Sequence, residues 1–320
     1  MALNLLEHLP RRVGMLGVEK VTLAYALATT FLIFLLWGRM TDPAQLIHGR
    51  ALVVAGLVAT RVIYIWMPTR GSLLLRYLYP LSLLAYWYPD TYEFCQLFGN
   101  LDHVFALLDQ RLFGCQPALL FFHLLPEKGW SELFHLGYFS YYPLIALTVL
   151  SPLFTNRKLF SRTAFVVLLS FFFYYLVYLF LPVAGPQYYY HAIGLDAVQA
   201  GHFPAVGDYF RYHTELNPSP TPSGLFRDMV EATQASGERP TAAFPSSHVG
   251  ISTILMLLLR RNRRGLMYAV LPLYILLCAS TVYIEAHYLV DVFGGLASAF
   301  LLYWLAGRLY PAFGKNDMNP

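Results

Sequence analysis

Long apolar runs separated by short polar breaks make up most of the chain. A bilayer core takes roughly 20 apolar residues as a helix. Runs of that kind occupy 21–37, 51–67, 73–88, 132–152, 163–183, 247–259, 265–283 and 288–310. The pattern therefore predicts about eight spans. The third and sixth are short, and the third also suits an interfacial helix, so the expected range is six to eight. Between them, 88–114 mixes aromatic, acidic and apolar positions and reads as interfacial helices, with Asp102 and Asp109 as surface charges. The stretch 184–243 is about 60 residues, long for a connection and thus a candidate for function. Its prolines and glycines, in "GPQYYY" and "NPSPTPSG", break any long helix, whereas "GLFRDMVEATQAS" predicts one short amphipathic helix on the lipid surface. The tyrosines of "GPQYYY" suit either the headgroup layer or the lip of a substrate site.

Composition sharpens this picture. Charged residues are 12% and hydrophobic residues 57%, against about 25% charged in ordinary soluble domains. The expected fold class is all-α: a polytopic integral membrane helical bundle. The net charge of +4 comes from clusters beside apolar runs, which reads as topology and not as a nucleic-acid surface. Cys95, Cys115 and Cys278 have no metal-type spacing; Cys95 and Cys115 could pair only on an oxidising side. The N-terminus, with Glu7 and Glu19 ahead of the first apolar run, does not follow the pattern of a cleavable signal.

Basic loops set the orientation. "TNRKLFSR" carries Arg157, Lys158 and Arg162, and "RRNRR" carries Arg260, Arg261, Arg263 and Arg264. Positive residues beside spans stay on the cytoplasmic side. The two loops lie two spans apart and agree, and Arg308 and Lys315 fall on the same side. Arg39 and Arg50 fall on the opposite side by this count. The segments 184–243 and the turn around Glu285 then face away from the cytoplasm.

Two polar stretches stand at that outer face. In "TAAFPSSHVG", Pro245 or Ser246 opens a helix and Ser246 or Ser247 caps it. The unpaired N–H groups of such a helix start favour an anion, and His248 lies in its first turn, placed to donate a proton to a leaving oxygen. In "STVYIEAHYLVDVFGG", His287 and Asp291 stand at i and i+4, on one helical face. A carboxylate at one ring nitrogen holds the tautomer and leaves the other nitrogen as a nucleophile. These parts suit phosphoryl transfer through a phosphohistidine: His287 as nucleophile, Asp291 as orienter, His248 as acid, and the start at Ser246 and Ser247 as phosphate donor. The other histidines lack ligand spacing, so neither a metal nor another cofactor is expected.

"FPSSH", followed 39 residues later by "HYLVD", resembles the second and third motifs of the type-2 phosphatidic acid phosphatase superfamily. That family shares its helical core with vanadium haloperoxidases. The resemblance implies a six-helix core with an extracytoplasmic active site and a lipid phosphate substrate. The motif forms, with "DQRLFG" and "WSELFHLGYFSYY", look more like the inositol phosphorylceramide synthase branch, which implies a lipid alcohol acceptor as second substrate. The family's arginine six residues before the nucleophile is Thr281 here. Its first-motif cations are replaced by "LPVAGPQYYY", where Gln187 and Tyr188 stand as substrate contacts without charge. Another cation should then reach the phosphate. Arg76 in the short third run is the first choice, ahead of Arg61, Arg227 and Arg239.

The expected organisation is N-terminal transmembrane and interfacial helices over 1–130, a catalytic core over 131–310 that includes the outer loop 184–243, and a tail over 311–320. The expected function is transfer of a phospho-headgroup between phospholipids or sphingolipids. Hydrolysis of a lipid phosphate by the same residues is the alternative. A non-catalytic lipid-binding or transport protein would instead place polar residues along the span centres. The bilayer and a lipid phosphate are the expected partners, with no nucleic acid. Oligomeric state is not encoded in these patterns.

Overall fold

The computed structural model describes residues 4–10, 14–154, 156–216 and 223–318. Most of "NPSPTPSG" lies outside the described residues. The described chain is helical, and its β-type pairing is a single isolated bridge between His8 and Thr69. Its α-helices are α1 Gly17–Leu36, α2 Pro43–Trp66, α3 Arg70–Ser82, α4 Leu84–Cys95, α5 Asp102–Phe113, α6 Pro117–Leu124, α7 Lys128–Phe139 and α8 Tyr141–Leu150. They continue with α9 Arg157–Phe180, α10 Pro186–Ile193, α11 Leu195–Gln199, α12 Leu225–Gly237, α13 Ser247–Asn262, α14 Arg264–Tyr283, α15 Leu289–Phe313 and α16 Lys315–Met318.

Six helical stretches among the described residues are long and apolar enough to cross a bilayer: Gly17–Arg39, Pro43–Trp66, Lys128–Leu153, Arg157–Phe180, Arg264–Tyr283 and Leu289–Phe313. The protein is an integral membrane protein of the all-α class, at the lower end of the expected range. The two runs that fall out are the short ones. The third divides at Leu83 into α3 and α4, and the sixth forms the 16-residue α13.

The described residues divide into two compact units, Met1–Asp90, Leu147–Phe173 and Leu302–Pro320 in one, and Thr91–Ala146 and Tyr174–Leu301 in the other. In the first unit, Tyr25 stacks on Phe172 at 4.4 Å between ring centroids and meets Trp87 edge-on at 5.0 Å. Two buried ion pairs tie its helices. Arg76 grips Glu19 with two hydrogen bonds, Nε to Oε1 at 2.6 Å and Nη2 to Oε2 at 2.7 Å. Arg50 grips Asp90 in the same two-pronged way, at 3.0 and 2.7 Å. Planar forks of this kind suit the guanidinium group. Arg50 is therefore a helix residue with a structural partner, not a loop charge, which removes one of the two basic residues that ran against the predicted orientation.

In the second unit, α14 packs against α7, α13 and α6, and α12 packs against α7. The predicted amphipathic helix forms as α12. Glu132 on α7 accepts from the first N–H groups of α12, Phe226 at 3.0 Å and Arg227 at 3.1 Å. A carboxylate at a helix start satisfies orphan donors and matches the helix dipole. Cys95, Cys115 and Cys278 are free thiols; Cys95 lies 3.0 Å from the Thr241 hydroxyl.

Candidate active site

Helix α13 begins as its sequence dictates. Ser246 is the N-cap, and its Oγ accepts from the Val249 N–H at 3.3 Å. The Ser247 N–H is also taken, donating to the Tyr178 hydroxyl at 3.1 Å, while that hydroxyl donates to the Pro245 carbonyl at 2.8 Å. The expected anion site at this helix start is thus narrower than its sequence suggests. Two of its early N–H groups have partners within the protein.

His248 and His287 meet. Nδ1 of His248 lies 3.3 Å from Nε2 of His287. The opposite nitrogen of His287, Nδ1, lies 2.8 Å from the Ala243 carbonyl oxygen. A carbonyl only accepts, so Nδ1 of His287 carries the proton and Nε2 carries the lone pair. Asp291 is less direct than its spacing implies. Its Oδ2 is 3.5 Å from Nδ1 of His287 and accepts from the Tyr288 N–H at 2.9 Å. The Ala243 carbonyl therefore holds the tautomer. The carboxylate stands behind it, where it can stabilise positive charge that grows on the ring. Burial pushes the His287 pKa down to about 4, with the Ala243 hydrogen bond working against the shift. The ring of His248 sits between Tyr138 and Tyr141, with 4.6 Å between centroids to each.

Glycine makes this closeness possible at two points. A Cβ on Gly295 would lie 2.5 Å from the Ser246 carbonyl oxygen, so the start of α15 approaches the α13 cap only without a side chain. Gly185 has φ +97° and a Cβ there would meet the Ala286 carbonyl at 2.7 Å. Two non-glycine residues beside the histidines also adopt left-handed backbone, Ala242 at φ 70° and Glu285 at φ 61°. Such conformations cost on the order of 1–3 kcal/mol and gather at functional sites.

Two carboxylates hold the surrounding backbone. Asp102, fully buried, accepts from the N–H groups of Ala184 at 2.7 Å and Gly185 at 2.8 Å and from the Tyr288 hydroxyl at 2.9 Å. Asp109 accepts from Leu289 at 2.9 Å and Val290 at 3.0 Å and so caps α15 beside the histidine pair. Burial raises both to about 6, against the pull of those donors. The surface role expected for both residues is overturned: each is 0% exposed. An amphipathic pattern cannot reveal an acidic residue whose partners lie far along the chain.

The other expected site residues divide. Gln187 and Tyr188 line a cavity of about 430 Å³ in the second unit, with Glu238, Arg239 and Glu285. Gln187 donates its backbone N–H to the Glu285 carbonyl at 2.8 Å and its side-chain amide to Glu238 at 2.7 Å. Thr281 turns its hydroxyl to the Cys278 carbonyl at 2.8 Å, while its own carbonyl accepts from the His287 N–H at 3.0 Å. It supports the turn before His287. Arg76 belongs to the first unit, with both prongs of its fork on Glu19 and Nη2 also on the Gly14 carbonyl. That engagement corrects its expected place at the phosphate. Arg227 pairs with Glu231 at 2.9 Å. Among the described residues no group of His, Cys, Asp and Glu is arranged to hold a metal ion.

With this geometry in place, comparison with known families is specific. The family model of the PAP2 superfamily matches residues 103–305, well over half of the chain, from α5 through most of α15. The chain belongs to the PAP2 superfamily, whose members are generally phosphatases or phosphotransferases. Searches of curated proteins and of solved structures found no match.

Proposed function

We propose that the protein transfers a phospho-headgroup between lipids through a phosphohistidine at His287. One observation carries this reading: Nε2 of His287 bears its lone pair 3.3 Å from Nδ1 of His248, while its other nitrogen is anchored to the Ala243 carbonyl. In the first half-reaction the Nε2 lone pair attacks phosphorus. The P–O bond to the departing lipid alcohol breaks, and His248 protonates that oxygen. In the second, the acceptor alcohol attacks phosphorus, its proton passes to His248, and the P–N bond breaks. Asp291 stabilises the ring cation formed between the two steps. In the resting arrangement the His248 N–H sits on the nucleophile's lone pair, so substrate must open this contact before attack.

Transfer, and not hydrolysis, is supported by the cavity of about 430 Å³ beside the turn that carries His287, which has room for more than water. The inositol phosphorylceramide synthase-like form of the two motifs points the same way. With α13 running antiparallel to α14 and carrying the chain from the His287 turn back to Arg260 and Arg264, the two basic loops share one side, which supports a site on the extracytoplasmic face.

The test is to give purified protein a phospholipid carrying ³²P in its headgroup, quench in base, and map the labelled peptide. The label is expected on His287 and should leave when a lipid alcohol is added. Near-normal turnover by His287→Ala, or a label on another residue, would overturn the reading.

A further inference from the structure

The cavity beside the histidines is acidic. Glu215, Glu238 and Glu285 line it, against one guanidinium, Arg239. A fourth carboxylate, Glu231, is neutralised by Arg227. The Glu285 carboxylate makes no hydrogen bond or ion pair to any described residue, and burial raises its pKa to about 7. Glu238 is held by the side-chain amides of Gln187 and Gln234, with no ion pair to a cation. Arg239 turns one nitrogen to the Glu238 backbone carbonyl, 2.8 Å away. Phe122 and Tyr283 add aromatic wall.

A separate observation points to a ligand. Tyr188 is 4% exposed and lines the same cavity, yet its hydroxyl has no hydrogen-bond partner among the described residues. A buried hydroxyl left unpaired is unfavourable, and a polar ligand would relieve it. The cavity is also close to the chemistry. Glu285 stands two residues before His287, so their Cα atoms are at most about 7.6 Å apart.

We propose that this cavity seats the positive end of an ammonium-bearing phospho-headgroup whose phosphorus lies at His248 and His287. The proposal rests on the transfer reading above and names its substrate class. Carboxylates with aromatic walls suit a primary or quaternary ammonium group. A neutral polyol would leave the carboxylates uncompensated beside an anionic phosphate.

The experiment has two readouts. The first is calorimetric titration of the detergent-solubilised protein with phosphoethanolamine, phosphocholine, inositol phosphate and inorganic phosphate. At least one ammonium compound should bind about tenfold or more tighter than the other two. Glu285→Gln and Glu238→Gln should each erase most of that preference while the melting temperature shows a folded protein. The relative strength of phosphoethanolamine and phosphocholine distinguishes a primary from a quaternary ligand. Equal binding of all four, or a preference for inositol phosphate or inorganic phosphate, would overturn the proposal, as would a preference untouched by both variants. The second readout is turnover of phospholipid donors with matched tails. Turnover without ammonium preference sinks this proposal and leaves the transfer reading standing. Selective binding without turnover on any donor sinks the transfer reading and leaves the cavity assignment standing.

Discussion

Nδ1 of His287 lies 2.8 Å from the carbonyl oxygen of Ala243, and that one contact decides which nitrogen can react. With the proton held on Nδ1, only Nε2 has a lone pair, and it faces His248. A backbone carbonyl does here what a carboxylate does in many histidine sites, and no side-chain substitution can remove it.

The role of His248 as acid can be separated from a role in positioning. With an alkyl leaving group, His248→Ala should lose about 10²- to 10⁴-fold in turnover. With p-nitrophenyl phosphate the leaving oxygen departs without a proton, so the loss should be far smaller. Steady-state rates on both substrates check this. An equal loss on both would assign His248 to positioning alone.

Stability should depend on pH through two opposed groups. Glu285 is raised from 4.5 to about 7 by burial. Between those values the folded protein binds more protons than the unfolded chain, so its contribution to stability falls as pH rises. His287 is lowered from 6.5 to about 4. There the unfolded chain binds more protons, so its contribution rises with pH across 4 to 6.5. Glu285→Gln removes the first effect. Its melting temperature relative to wild type should climb from pH 4.5 to 7, measured by circular dichroism in detergent. A constant offset would mean that Glu285 is not the titrating group.

The buried Arg76–Glu19 pair should be structural. Glu19→Gln leaves a guanidinium buried without its counter-charge and should cost about 3–5 kcal/mol. Replacing both, as Glu19→Gln with Arg76→Met, should recover much of that loss. The folded fraction of each variant should turn over at the wild-type rate. A selective loss of turnover in Arg76 variants at unchanged melting temperature would restore a role for Arg76 at the phosphate.

Sidedness is open to direct labelling. In a background with Cys95, Cys115 and Cys278 replaced by serine, Ser223→Cys in intact cells should react with an impermeant thiol reagent, and Arg263→Cys should not. The reverse pattern would place the histidine pair on the cytoplasmic side.

Much of the site can be read from the sequence because its key contacts are local in kind. Pro245, Ser246 and His248 announce a helix start, and the spacing of His287 and Asp291 announces their closeness, although His287 lies in the turn before α15 begins at Leu289 and not on one helical face with Asp291. What could not be read depends on distant partners. Asp102 and Asp109 look like ordinary polar positions of an amphipathic segment until Ala184, Tyr288 and Leu289 arrive beside them. Arg76 looks like a free intramembrane cation because nothing in its own run shows that Glu19 matches its fork. The span count of six falls at the lower end of the expected range for a related reason. An apolar run reports composition, and only packing decided that 73–88 breaks at Leu83.

Asp102 sets a schedule on biosynthesis. Its backbone partner Ala184 lies 82 residues downstream, and its tyrosine partner lies 186 residues downstream. At about 5–20 residues per second, Tyr288 leaves the ribosome on the order of ten to forty seconds after Asp102. Throughout that interval the carboxylate has no Tyr288 to bind, and a translocon or water must serve it instead. His287 stands immediately before Tyr288, so its meeting with His248 and the closure of the buried Asp102 scaffold belong to the same late event of translation.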